Sequence, residues 1–297
     1  MASSTAQLLL GLKALADPVR LRLVALCRRG ECSVSELTDL LGLSQPRVSQ
    51  HLKQLGDAGL VERFRDGQRV YYRVPARSGS AARLLELVPE HDPVMRADAE
   101  RQRVLRSRGL AHGEARHAAP RDPAVERALY RALLDLTVTA PLGDLLDVGC
   151  GRGRLLKLLA SRANRAIGVD VDASARELAR AELLLAGLPN CSLRAADMYR
   201  LPFAEAEFDT AILDDVLTGA TAPVAVLREA ARVLRPGGRL FILQSLGVQG
   251  VPDLQRRLAG WCADAGLRLA PPRLMPRTRP DWLLAVARPA EAASAAA

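Results

Sequence analysis

The sequence predicts an α/β chain in two parts: a small, mainly helical front portion closed by a β-hairpin, and a larger back portion of alternating strands and helices. Three observations carry this. Short helical patterns from Leu8 onward run into VERFRDGQRVYYRV, an alternating stretch broken at Asp66-Gly67. From about Leu142, strand-like apolar runs alternate with helical segments, as in a sheet covered by helices. The length of 297 residues, 49% hydrophobic and 25% charged, suffices for two domains. The expected division is a first domain at 1–75, a helical connector and candidate dimerisation region at 76–140, a second domain at 141–290, and a disordered low-complexity tail at 291–297.

Composition narrows the function classes. No apolar run reaches the roughly 18 residues of a membrane span, and the N-terminus has no basic, apolar and cleavable leader pattern, so a cytoplasmic protein is expected. Five scattered cysteines without C-x-x-C spacing read as reduced thiols rather than disulfides or a zinc knuckle. The 42 basic against 33 acidic residues give a net charge of +9, which favours a polyanion partner. The excess is densest over residues 1–75.

Each front element has a local cause. Leu8, Leu9, Leu12 and Leu15 recur at helical spacing, and Asp17-Pro18 starts a second helix, Val19 to Cys27, closed by Gly30. Ser33 caps a third helix with Glu36 at capping-box spacing; it runs to Leu41 and breaks at Gly42. Ser44 caps a fourth, with Pro46 in its first turn. Two short helices joined by a tight Gly-containing turn form a helix-turn-helix. In the fourth helix Val48, Leu52 and Leu55 face the core, leaving Gln45, Arg47, Ser49, Gln50 and Lys53 outward. Those polar, mildly basic side chains suit base edges and phosphates in a major groove. Asp66-Gly67 is a hairpin turn, and Arg63, Arg65, Arg69 and Arg73 decorate its ribbon. The DNA-binding candidates are therefore Ser44, Gln45, Arg47, Ser49, Gln50, Lys53, Arg65 and Arg69.

From ALADPVRLRLV to QRVYYRV, this stretch closely resembles the ArsR/SmtB winged helix-turn-helix repressors. The resemblance implies a homodimer on a double-stranded DNA operator, with 44–55 as the recognition helix. It departs from the metal-sensing members at the paired-cysteine positions, which hold Ser33 and Ser35 here. Serine hydroxyls are poor ligands for soft metals. Cys32 is one position away without a neighbouring partner, and Cys27 reads as core packing, so no metal site is expected.

In the back portion, GDLLDVGCGRGRLLKLLA reads as a buried strand, a turn with Gly149, Gly151 and Gly153, and a helix from Leu155. A second strand ends at Asp170, 21 residues after Gly149, where an acid can accept both ribose hydroxyls. An adenosine-containing ligand follows. Arg154 stands where a dinucleotide fingerprint needs its third glycine, and no P-loop is present. Asp147 can take an ammonium or brace the glycine loop. Cys150 fits a small-side-chain position.

The block D-x-G-C-G-x-G resembles motif I of class I S-adenosylmethionine-dependent methyltransferases. The likeness extends from about 142 to 245 through SLRAADM, EFDTAILDDVL and LREAARVLRPGGRLFIL, with WCADAGLRLA and DWLLAVARP as closing elements. It implies a Rossmann-like class I methyltransferase fold holding S-adenosylmethionine or S-adenosylhomocysteine. The binding candidates it implies are Asp147, Gly149, Gly151, Gly153, Asp170, Val171, Asp197, Met198 and Asp214. Asp197 would face the adenine amino group and Met198 would supply an apolar contact. Asp214 and Asp215, ending the fourth strand, either bind a cationic acceptor or methionine moiety, or cap a loop. No N/D-P-P-Y/F motif follows that strand, which disfavours DNA-base methylation. With 3% aromatics, a stacking cage for a flat acceptor is poorly supplied. These readings favour a regulator, expected to be a repressor, whose operator affinity responds to the ligand. In this fusion family the implied biology is control of methionine-cycle genes. The alternatives are an active methyltransferase with a fused DNA-binding domain and, behind it, a metal or metalloid sensor. In the connector, Leu84, Leu85 and Val88 share one face, suited to a second subunit or to the chain's own first domain.

Overall fold

The computed structural model describes residues 5–75, 79–89, 92–112, 122–247, 250–276 and 280–290. The tail at 291–297 and residues 113–121 of the connector lie outside the described residues. The chain divides into two units: residues 1–114 with 177–194, and residues 115–176 with 195–297.

In the first unit the helices are α1 (Thr5–Leu15), α2 (Pro18–Arg29), α3 (Val34–Leu41), α4 (Gln45–Asp57), α5 (Gly79–Glu86) and α6 (Pro93–His112). Their ends follow from single residues. Asp17 accepts the backbone N–H groups of Val19 and Arg20 at 2.8 and 3.0 Å, starting α2. Ser33 and Glu36 form the reciprocal capping box of α3, and Gly42 ends it in the left-handed region. Ser44 precedes α4 but makes no side-chain cap, unlike Ser33.

The ribbon is β2 (Glu62–Asp66) and β3 (Arg69–Arg73), turning at Asp66-Gly67 with Gly67 at φ 61°. A two-residue strand, β1 (Cys32–Ser33), adds to its edge through Cys32 opposite Tyr72; the sequence pattern missed it because two residues show no period. Leu23, Val24, Leu37, Val48, Leu52 and Leu55 form the core. Leu84, Leu85 and Val88 are buried in this same core, so of the two readings for that face, packing on the chain's own domain is the one observed. Helix α6 is tied down by polar contacts: Arg22 grips buried Asp98 at 2.6 and 2.8 Å, and Arg106 reaches Glu36 and the Glu31 carbonyl.

The second unit contains α7 (Pro123–Thr139), β4 (Asp144–Val148), α8 (Arg154–Leu159), β5 (Arg165–Asp170), and the start of α9 (Ala173–Leu185), which continues into the first unit as does most of β6 (Cys191–Ala195). It is completed by β7 (Phe208–Asp214), α10 (Pro223–Val233), β8 (Leu234–Ser245), α11 (Val251–Asp264), β9 (Leu267–Leu269), β10 (Arg273–Met275) and β11 (Trp282–Pro289). Strands β5, β4, β7 and β8 lie side by side and parallel, and β11 closes antiparallel on β8. Chain order thus reverses direction at β4, where open α/β sheets bind ligands at the strands' C-terminal ends. Leu146, Val148, Val169, Phe208, Leu240 and Ile242 fill the core between sheet and helices. Pro236, Gly237 and Gly238 lie inside the long strand β8, where the pairing with β7 shifts register. Gly237 adopts φ 78°, and a Cβ on Gly238 would sit 2.8 Å from the Arg235 carbonyl.

Candidate functional site

The glycine loop joins β4 to α8. Gly149, Gly151 and Gly153 have φ values of 73°, 51° and 71°, which other residues reach only at a cost. A Cβ on Gly149 would lie 2.8 Å from Val216, whereas a Cβ on Gly151 would meet no atom within 4 Å, so that side of its backbone faces open space. The amides of Gly149 and Cys150 bond the Val169 carbonyl at 2.8 and 3.0 Å, fixing the loop to β5.

Asp170, ending β5, holds this arrangement. One carboxylate oxygen accepts the Gly151 amide at 2.8 Å and the other the Asp172 amide at 2.9 Å. Its carbonyl accepts from Arg176, a buried guanidinium, at 2.8 Å. Val171 follows, 74% exposed, an apolar side chain on the rim beside the acid. Asp147 is buried on β4 opposite Gly168. Asp197 is exposed after β6, accepts the Tyr199 amide at 3.0 Å, and is followed by Met198 packed on the core. The Ala196 amide bonds the Asp170 carbonyl at 3.3 Å, bringing that loop to the β5 end. Asp214 ends β7, half-buried. The predicted ligand residues thus come from the C-terminal ends of neighbouring strands.

Asp215 has a different task. It sits at φ 58° and accepts the Ser245 amide at 3.0 Å, the Ser245 hydroxyl at 2.6 Å and the Gln244 side-chain amide. Gln244 also donates to Thr218 at 2.8 Å. Of the two readings left open for the carboxylate pair, loop capping is the one Asp215 performs. Two positions escaped the sequence reading. A Cβ on Gly168 would lie 2.6 Å from Leu156 and 2.7 Å from Cys150, so this strand glycine seats the loop; a glycine inside a strand pattern is the available signal. Tyr199 bonds Thr221 through its hydroxyl at 3.0 Å, linking two rim loops; nothing local in the sequence announces it. Burial pushes the Cys150 thiol well above its ordinary pKa, which keeps it protonated and non-nucleophilic.

On α4, Ser44, Gln45, Arg47, Gln50 and Lys53 are exposed and Ser49 is half-buried beside them. His51 lies back toward Asp17, 4.0 Å away. On the ribbon, Arg63, Arg65 and Arg69 are exposed, but Arg69 pairs with Glu177 and Arg73 with Glu62. Ser33 and Ser35 are hydrogen-bonded to each other at 3.0 Å. Cys32 is buried, its thiol held protonated by neighbouring Cys27 and by burial. Among the described residues no cluster of three metal-ligating side chains is found, and no helix is long and apolar enough to cross a membrane.

Two families match. Residues 17–63 fit the bacterial regulatory proteins of the arsR family, and residues 146–242 fit a methyltransferase domain. Over 63 residues the chain is 52% identical to the arsenic resistance transcriptional regulator ArsR1 of Pseudomonas putida, covering 21% of this chain and 49% of that protein. Over 119 residues it is 36% identical to nocamycin O-methyltransferase of Saccharothrix syringae, covering 38% and 42%. Among solved structures, the [4+2]-cyclase SpnF aligns with a TM-score of 0.50 at 19% identity, over 62% of this chain and 92% of that one; this likeness concerns the fold. The chain spans between 35% and 50% of the length of the first curated relatives it matches.

Proposed function

The chain carries an ArsR-family DNA-binding regulator domain and a methyltransferase domain, and from this pairing we propose a transcriptional repressor whose operator affinity responds to S-adenosylmethionine or S-adenosylhomocysteine. The observation that carries the ligand half is the Asp170 carboxylate bonded to the Gly151 amide, which supports reading Asp170 as a ribose-binding acid beside the glycine loop. Exposed Val171 beside it supplies apolar surface for an adenine ring to cover. Asp147 and Asp214 line the methionine end, with Asp197 and Met198 at the base. When bound, S-adenosylmethionine offers a sulfonium methyl. The chain's own residues fit holding the ligand better than receiving an acceptor, because Asp215 is committed to Ser245 and Gln244. Ser44, Gln45, Arg47, Ser49, Gln50 and Lys53, with Arg65 and Arg69 from the wing, contact a double-stranded operator. Leu8, Leu9, Leu10 and Leu12 are 41–50% exposed along α1, an apolar patch that suits a homodimer. Following the sequence resemblance, the regulated genes are those of the methionine cycle. Regulation requires that the ligand bind the DNA-competent and DNA-incompetent states with different affinity.

Calorimetry and anisotropy test this together. Both ligands should bind the wild type, and one should shift affinity for duplex from the protein's own upstream region by about 5–150-fold. Asp170→Ala should weaken ligand binding at least about tenfold, since each charge-assisted hydrogen bond lost is worth about 1.5–3 kcal/mol, while leaving basal DNA binding. Absence of binding heat for either ligand would sink the reading. Turnover of labelled S-adenosylmethionine with no ligand effect on DNA would establish the second reading, a working methyltransferase, which the likeness to an O-methyltransferase favours.

A further inference from the structure

Residues 177–194, the end of α9 with most of β6, cluster with the winged helix in the first unit, and they meet it through charge. Arg180 is 4% exposed. Its Nε donates to Glu31 at 2.9 Å, its Nη2 pairs with Asp66 and donates to the Leu193 carbonyl at 3.0 Å, and its guanidinium lies 4.0 Å from the Tyr71 ring centre. Glu31 also accepts the Leu193 amide at 3.2 Å and Arg194 at 2.9 Å. Arg194 in turn covers Phe64, 3.4 Å from the ring centre. At the rim, Arg69 pairs with Glu177, both partly exposed.

The contact is selective for one face of the ribbon. Side chains alternate along a strand, so Phe64 and Asp66 point one way and Arg63 and Arg65 the other. Phe64 and its cross-strand neighbour Tyr71, together with Asp66, meet residues 177–194; Arg63 and Arg65 stay exposed. Asp66 opens the Asp-Gly turn, a place where a carboxylate is ordinarily solvated, yet it is 6% exposed. A phosphate approaching Arg69 meets the Glu177 carboxylate, whose like charge opposes it.

We propose that residues 177–194 are an intramolecular dock for the wing, and that seating the wing on a DNA duplex competes with this dock. The inference rests on the proposed reading of α4 and the wing as the DNA contact. Docked, the ribbon offers Arg63 and Arg65; undocked, it adds Arg69. Helix α9 carries both Glu177 and Arg180, and begins at the turn where Asp170 accepts the Asp172 amide.

The test uses full-length protein, a fluorescein-labelled 30-base-pair duplex of mixed sequence, and salt from 50 to 200 mM. Glu177→Gln, a substitution at a partly exposed position, should tighten DNA binding several-fold. It should also steepen the log–log salt dependence by about one unit, the increment for one more phosphate contact. Arg69→Ala should erase that gain, so that Arg69→Ala/Glu177→Gln binds like Arg69→Ala alone. In the wild type, saturating duplex should raise hydrogen exchange of backbone amides over 177–194. The dock is overturned if Glu177→Gln binds within twofold of the wild type, or if exchange over 177–194 is unchanged by duplex. Absence of duplex binding by every protein at 50 mM salt is a separate result: it removes the DNA-contact reading, and the dock with it.

Discussion

Helix α4 and the β2–β3 ribbon were both marked for DNA by the same kind of pattern, polar and basic residues interleaved with apolar ones. The structure treats them differently. On α4 the outward set stays outward: Gln45, Arg47, Gln50 and Lys53 are exposed while Val48, Leu52 and Leu55 are fully buried. On the ribbon, one face is taken by Arg180 and Arg194, and Arg69 is paired. A helix has one buried stripe, and its period decides the rest. A two-stranded ribbon has two faces, and which of them is free depends on what packs against it from elsewhere. Charge pattern therefore reports an interface on the helix more directly than on the ribbon.

That contrast can be broken from the helix side first. Leu52→Ala removes a fully buried side chain under the α4 polar face. It should cost about 2–5 kcal/mol of stability, visible as a lowered midpoint in urea unfolding followed by circular dichroism. An unchanged midpoint would mean that α4 is not seated by its apolar stripe. Next in size is Arg47→Ala, exposed in the first turn of α4. Loss of a base or phosphate contact there should weaken operator binding by about 1–3 kcal/mol, measured by anisotropy at fixed salt. Equal affinity for wild type and variant would take the DNA contact away from this helix. The smallest effect belongs to Arg65→Ala on the exposed ribbon face. It should lower the salt slope by about one unit with little change in sequence preference. An unchanged slope would place the free face of the ribbon off the duplex.

Much of the local architecture was readable without coordinates because its causes lie within a few residues. The Asp17 cap, the Ser33–Glu36 box, the Gly42 stop and the Asp66-Gly67 turn all act over one to four positions. The glycine loop and Asp170 were also readable, since a strand, a tight turn and a helix fix the distance between them. Ser44 shows the limit even locally: its residue type signals a cap, but its side chain makes none.

The sequence by itself determined the two folds, the glycine turn after β4 and the outward face of α4, because short-range sterics and a single hydrophobic period suffice for each. Only the tertiary structure decided that Asp215 caps a loop, that Gly168 makes room for Cys150, and that Leu84, Leu85 and Val88 pack on their own domain. It also decided that Arg180 reaches Glu31 and Asp66, 149 and 114 positions away along the chain. An arginine on an amphipathic helix looks like any solvated charge until two buried carboxylates from a distant segment are brought within hydrogen-bonding reach. Such partnerships depend on long-range packing, which no local pattern encodes.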